Sequence, residues 1–183
     1  MNLQRSVSAI WISVLMVLPV ANSQEQFRLR VGDAAPDFTL PYATRDSINF
    51  EGLTLSERIG TKYIILAFYP ADWSGGCTKE VCTMRDSFSD LEKLDAEVLG
   101  ISGDYVFSHH EWAKYLNLPF ALLSDHQHEV AKLYNSYDET WGFNKRTVFV
   151  VDKEGKIAYV DMKYDVSKSG DFKLLLSKIA EIR

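Results

Sequence analysis

Apolar residues along this chain gather into short unbroken runs, and between the runs they recur every three or four positions. The strongest run, Tyr63-Ile64-Ile65-Leu66-Ala67-Phe68, is apolar at every position, as a strand buried on both faces must be. Val81, Met84, Phe88, Leu91 and Leu94 follow at helical spacing and predict one helix over 79–94. Glu97 to Ser102 reads as a second strand, and Val106 to Leu116 as a second helix that stops ahead of Pro119. Phe120 to Leu123 is a third short strand, and Glu129 to Tyr134 a helix of a turn or two. Thr147 to Val151 and Lys156 to Val160 flank the turn signal Asp152-Lys153-Glu154-Gly155 and predict an antiparallel hairpin. Phe172 to Ile182 closes the chain as an amphipathic helix. Nearer the start, Val31 to Leu40 reads as a turn and short strand, Ser47 to Phe50 as a small hairpin strand, and Leu53 to Arg58 as a helical turn.

Strands that alternate with helices predict an α/β fold with helices on both faces of a sheet. The last hairpin makes that sheet mixed. This is the element order of a thioredoxin-like fold with an N-terminal β extension. No repeat, low-complexity stretch or long linker interrupts residues 24–183, which read as one domain.

The first 23 residues stand apart: after Arg5, residues Val7 to Val20 carry no charge, and Ala21 and Ser23 are small residues fit for a signal-peptidase site ahead of Gln24. The apolar stretch falls short of the roughly 20 residues that a membrane span needs. The expectation is an exported protein, periplasmic or secreted, with a cleaved signal peptide over 1–23; the alternative is an uncleaved anchor. With 46% apolar and 25% charged residues the chain is ordinary for a globular protein. A net charge of -5 gives no reason to expect nucleic acid or an anionic membrane as partner.

Candidate chemistry concentrates where the first strong strand ends. The only two cysteines, Cys77 and Cys82, lie five residues apart in Tyr69-Pro70-Ala71-Asp72-Trp73-Ser74-Gly75-Gly76-Cys77-Thr78-Lys79-Glu80-Val81-Cys82. A sulfur at the start of a helix meets unpaired N–H groups and the positive end of the helix dipole, which favour thiolate over thiol. Ser74 can donate a hydrogen bond there or simply cap the helix, and Pro70 can shield the sulfur. In an exported protein a cysteine pair is commonly a structural disulfide. Residues i and i+5 of an intact helix, however, hold their Cα atoms about 8–9 Å apart, beyond the ~7 Å limit for a disulfide. A staple would break its own helix, so the pair reads as a redox pair whose bond forms when the helix unwinds. No Cys-x-x-Cys is present, which weighs against exchange with protein disulfides. The four histidines match no zinc pattern; His109, His110, His126 and His128 read as surface residues. Arg146, at the entrance to the strand Thr147 to Val151, can bring a forked cation to the sulfur, oriented by Glu80, or can be a solvated surface charge.

Pro70-x-x-x-Ser74-x-x-Cys77 resembles the active-site motif of the peroxiredoxins, and Cys77-Thr78-Lys79-Glu80-x-Cys82 with Arg85-Asp86 resembles their bacterioferritin-comigratory (PrxQ) subgroup. Gly32-Asp33-x-x-Pro36-Asp37-Phe38, Gly100-Ile101-Ser102-Gly103-Asp104 with Ser108-His109, Leu122-Leu123-Ser124-Asp125, and Arg146-Thr147-Val148-Phe149-Val150-Val151-Asp152-x-x-Gly155-x-Ile157 are similar to further segments of that family. The resemblance implies a peroxidatic Cys77 and a resolving Cys82, with Pro70, Ser74, Arg146 and Glu80 completing the site. It implies reduction of hydrogen peroxide and organic hydroperoxides, recycling by a thioredoxin-like dithiol, no metal, haem or flavin, and a monomer. Where the family often carries Thr-Pro this chain has Ser74-Gly75, which implies a freer loop. Two other functions stay open: an exported thiol–disulfide oxidoreductase and a non-catalytic scaffold with an inert thiol pair.

Overall fold

The computed structural model describes residues 28–183; the predicted signal peptide lies outside the described residues. Nine strands and five helices are present among them. They run β1 (Thr39–Ala43), β2 (Ile48–Thr54), β3 (Tyr63–Phe68), α1 (Gly75–Asp86), α2 (Phe88–Lys93), β4 (Ala96–Ser102), α3 (Val106–Leu116), β5 (Ala121–Ser124), α4 (Glu129–Leu133), β6 (Tyr137–Asp138), β7 (Phe143–Asn144), β8 (Thr147–Val151), β9 (Ile157–Asp161) and α5 (Ser169–Ile182). A 3-10 turn at Ser56–Arg58 follows β2.

Seven strands form one mixed sheet in the order β2-β1-β5-β4-β3-β8-β9. β3, β4 and β5 are parallel; β8 runs antiparallel beside β3, and β9 antiparallel beside β8 at the sheet edge. β1 and β2 form the N-terminal extension on the opposite edge, next to β5. The sheet is covered on both faces, as the unbroken apolar run of β3 requires. Tyr63, Ile65 and Ala67 point into a core shared with Val81 and Met84 of α1, Leu91 of α2, Trp112 of α3 and Leu175 of α5. Ile64, Leu66 and Phe68 point the other way, against Val130 and Ala131 of α4 and Leu40 and Leu53 of the extension. This is the thioredoxin-like α/β architecture that the element order predicts. No described helix is long and apolar enough to cross a membrane.

The bounds of β3, α3 and β8 match the sequence pattern. The single helix predicted over 79–94 is instead two, divided at Ser87, whose φ of -104° and ψ of 14° leave the helical region. α1 also starts four residues earlier than the apolar rhythm, at Gly75, because Ser74 caps it. β2 runs through Thr54, where the sequence reads as the start of a helical turn. The two-residue strands β6 and β7 pair with each other and were not predicted.

Candidate active site

β3 ends at Phe68, and the chain crosses a short loop before α1 begins at Gly75. Ser74 is the helix cap: its backbone is extended, and its Oγ accepts from the Cys77 backbone N–H at 3.4 Å. The Ser74 carbonyl accepts from the Thr78 N–H and hydroxyl, both at 2.8 Å. Cys77 therefore lies in the first turn of α1, fully buried against Val81 and the sheet. Pro70 is half-buried in the bend after β3.

Arg146 comes from the short link between β7 and β8, beside β3 in the sheet. Its Nη2 donates to Cys77 Sγ at 3.4 Å, and its Nη1 donates to Glu80 Oε2. Of the two readings open in the sequence, the solvated surface charge is excluded: the side chain is only 20% exposed. Glu80, three residues after Cys77, projects from the same face of α1 and is fully buried. One carboxylate and one sulfur thus share a guanidinium, each meeting a different prong of the fork.

Gly76 is part of this arrangement. A side-chain carbon at position 76 lies 3.0 Å from Arg146 Nη2, so glycine leaves room for the guanidinium to reach the sulfur. Tyr164 is also buried nearby; burial first, and then the charge on Glu80, raise its phenol well above the ordinary value and keep it neutral. Neither residue belongs to a spacing pattern that sequence inspection can find.

Burial pushes the Glu80 carboxyl up to about 7, against the opposing pull of Arg146. Burial works against the Arg146 charge, but Glu80 and Cys77 outweigh it and raise its pKa. Glu80 Oε1 has no hydrogen-bond partner among the described residues, which accounts for the heavy cost of ionising it. The folded protein therefore binds the Glu80 proton more tightly than the unfolded chain does, and stability falls as pH rises through the window from the ordinary value of 4.5 to about 7. The contribution is on the order of 3 kcal/mol. Asp37, Asp95 and Asp165, whose pKa values are lowered, lose their contribution only as pH falls below the ordinary 3.8, outside that window. Urea unfolding of the reduced protein is expected to give a higher midpoint at pH 5 than at pH 8, with Glu80→Gln flattening the difference. An equal drop in the variant would remove Glu80 as its source.

Cys82 lies one turn and a half beyond Cys77, half-buried within the unbroken α1, and both cysteines are free. No group of three or more potential metal-ligating side chains occurs among the described residues. The histidines correct one expectation. His109 is fully buried rather than at the surface, and His128 is half-buried with its Nδ1 2.8 Å from Asn144 Oδ1. Asp72, two residues before Ser74, is buried and hydrogen-bonded on both carboxylate oxygens.

Known proteins share this arrangement of elements. The AhpC/TSA family matches residues 31–160. Peroxiredoxin Bcp of Bacillus subtilis is 36% identical over 135 residues, covering 70% of this chain and 82% of that one. The chloroplastic peroxiredoxin Q of Oryza sativa subsp. japonica is 42% identical over 130 residues, covering 70% of this chain and 57% of that one. The chain thus spans little more than half the length of the plant relatives it matches. Among solved structures, peroxidoxin BcpB of Mycobacterium tuberculosis aligns with a TM-score of 0.73 at 28% identity, covering 85% of this chain and 99% of that one. On the family match and these relatives, the chain belongs to the AhpC/TSA family, as a member similar to peroxiredoxin Q and Bcp.

Proposed function

We propose that this protein is a thiol-dependent peroxidase that reduces hydrogen peroxide and organic hydroperoxides through Cys77. The observation that carries this reading is the Arg146 guanidinium 3.4 Å from a buried sulfur in the first turn of α1. A cation and helix-start amides around one sulfur favour its anion and offer donors to an oxygen bound beside it. The Cys77 thiolate attacks one peroxide oxygen; an S–O bond forms as the O–O bond breaks. The second oxygen leaves with the electron pair and takes a proton, as water or alcohol. Sulfur is oxidised by two electrons and becomes a sulfenic acid.

The first turns of α1 then unwind, since the cysteine Cα atoms of an intact helix stand about 8–9 Å apart. The Cys82 thiol displaces the sulfenic hydroxyl, an S–S bond forms and water leaves. A thioredoxin-like dithiol restores both thiols by exchange, becoming a disulfide itself. Ser74 and Pro70 hold the helix start and the approach to the sulfur, and Glu80 orients Arg146. The apolar stretch Val7 to Val20 and the small residues Ala21 and Ser23 support an exported protein with its domain over 24–183. The subgroup resemblance supports a monomer.

The exported thiol–disulfide oxidoreductase is the weaker reading, because both cysteines sit inside one helix and no Cys-x-x-Cys exists. Cys82→Ser separates the steps. The variant is expected to consume one equivalent of peroxide at the wild-type rate and to hold Cys77 as a sulfenic acid that a dione reagent traps. Its steady turnover with a dithiol protein should fall about tenfold or more. Undiminished turnover would remove Cys82 from the cycle, and catalysed insulin reduction by the wild type would favour the oxidoreductase.

A further inference from the structure

Under the loop that carries Pro70 and Ser74 lies a buried polar network that the peroxidase cycle does not use. Its centre is Asp72, 7% exposed. Asp72 Oδ1 accepts from the Tyr69 hydroxyl at 2.8 Å. Its Oδ2 accepts from Ser108 Oγ at 2.7 Å and faces His109 Nδ1 at 2.9 Å. The Asp72 backbone N–H donates to Asp104 Oδ2 at 2.8 Å, and Ser102 Oγ donates to the same oxygen at 2.9 Å. His109, fully buried on α3, faces the Leu123 carbonyl with Nε2 at 3.1 Å. Both ring nitrogens thus face acceptors, a carboxylate and a carbonyl. Through Asp72 the loop is tied to the end of β4, to α3 and to β5.

The loop needs such a tie because little in its own sequence makes it rigid. Gly75 and Gly76 begin the helix, and residues without a Cβ restrict the backbone least. Trp73 is in the left-handed region with φ 61°, a conformation that non-glycine residues rarely adopt. Its indole N–H donates to Ser108 Oγ at 3.2 Å, so the same network holds it. Ser74, the next residue, caps the helix that carries Cys77. Arg146, by contrast, is delivered from the link just before β8, the strand beside β3. The distance between sulfur and guanidinium is therefore set by two separate supports, and the network under Asp72 is one of them. The far end of α1 has its own tie, where Arg85 Nη1 donates to the Leu116 carbonyl at 2.8 Å.

We propose that His109 is a positioning residue: through Asp72 it holds the loop before α1 so that Cys77 meets Arg146. This rests on the peroxidatic role of Cys77. The network is the front anchor, Arg85 is the rear anchor, and both cysteines lie on the stretch between them.

The test measures two rates at Cys77 in reduced protein: oxidation by hydrogen peroxide, followed by stopped flow, and alkylation by iodoacetamide, followed by mass spectrometry of the Cys77 peptide. Both reactions need the thiolate, but only peroxide chemistry also needs Arg146 aligned with the departing oxygen, so alkylation reports access and ionisation without that alignment. His109→Gln keeps an amide in reach of the Leu123 carbonyl but loses Asp72, and His109→Asn does the reverse. His109→Gln is expected to slow peroxide oxidation about tenfold or more, in line with the cost of small misplacements at reacting centres, while alkylation stays within about threefold. His109→Asn is expected to recover peroxide oxidation to within about threefold of wild type. Should His109→Gln fail to fold, Ser108→Ala, which removes one donor to Asp72 and the link to Trp73, is expected to show the same selective loss at about threefold. A wild-type rate in the variant that folds overturns the proposal. So does an equal fall with His109→Asn, or alkylation that rises as peroxide oxidation falls, since both mark general loosening of the fold. A wild-type Cys77 that ignores peroxide would overturn the peroxidase reading as well, whereas a reactive wild type with an unaffected His109→Gln overturns the positioning role alone.

Discussion

Cys77→Ser is expected to abolish peroxide turnover, with a loss on the order of 10³-fold or more, as removal of a nucleophile does elsewhere. Serine is close to cysteine in size, so the packing of the first turn of α1 against Val81 and the sheet should survive. What goes is the sulfur that the proposed cycle oxidises first. A hydroxyl beside Arg146 stays protonated and cannot be oxidised to a sulfenic acid. The measurement is peroxide consumption coupled to oxidation of a dithiol protein, with circular dichroism to show that the fold persists. A variant that keeps full turnover would place the chemistry elsewhere in the chain.

Arg146→Ala is expected to have the next largest effect, slowing oxidation of Cys77 by about 10²–10³-fold, the usual cost of deleting a preorganised donor from a site that stabilises developing charge. Two losses add. The sulfur loses the donor at 3.4 Å, and the departing oxygen of the proposed reaction loses the cation beside that sulfur. The Glu80 carboxyl also loses its partner; burial already holds it at about 7, and without the guanidinium it moves further upward and stays neutral. Arg146→Lys keeps a charge but cannot serve sulfur and carboxylate with two prongs at once, and it should fall between alanine and wild type. Stopped-flow oxidation of the three proteins gives the order directly. Equal rates in all three would mean that the guanidinium orders the fold and not the reaction.

Much of this fold is legible in the sequence because a sheet covered on both faces demands unbroken apolar runs. β3 and β8 are such runs, and their bounds were readable to the residue. The break at Ser87 was not. Val81, Met84 and Leu91 reach the same core, and Phe88 and Leu94 pack against it from the far side of the break. Two short helices on one face thus imitate the rhythm of a single longer one. β6 and β7, with two residues each, are too short to leave a pattern.

The site divides in the same way. Cys77, Ser74, Glu80 and Cys82 sit within nine consecutive residues, where spacing can be turned into geometry. Arg146 is far away along the chain, and local spacing alone favours a surface charge; family resemblance singles it out. Gly76 and His109 were out of reach for a different reason. A glycine that makes room for a guanidinium looks like any turn glycine, and a histidine at 0% exposure looks like any helix histidine until the helix is packed. Burial of a polar residue is a property of the tertiary fold, not of its neighbours in sequence.

One experiment bears most directly on the sulfur at position 77. The reduced protein is mixed with one equivalent of hydrogen peroxide, quenched at successive times, and the peptide that contains both cysteines is weighed. The expected course is the gain of one oxygen on Cys77, followed by its loss together with two hydrogens as the Cys77–Cys82 bond closes within one chain. Oxygen appearing first on Cys82, or two thiols left untouched while peroxide persists, would contradict it.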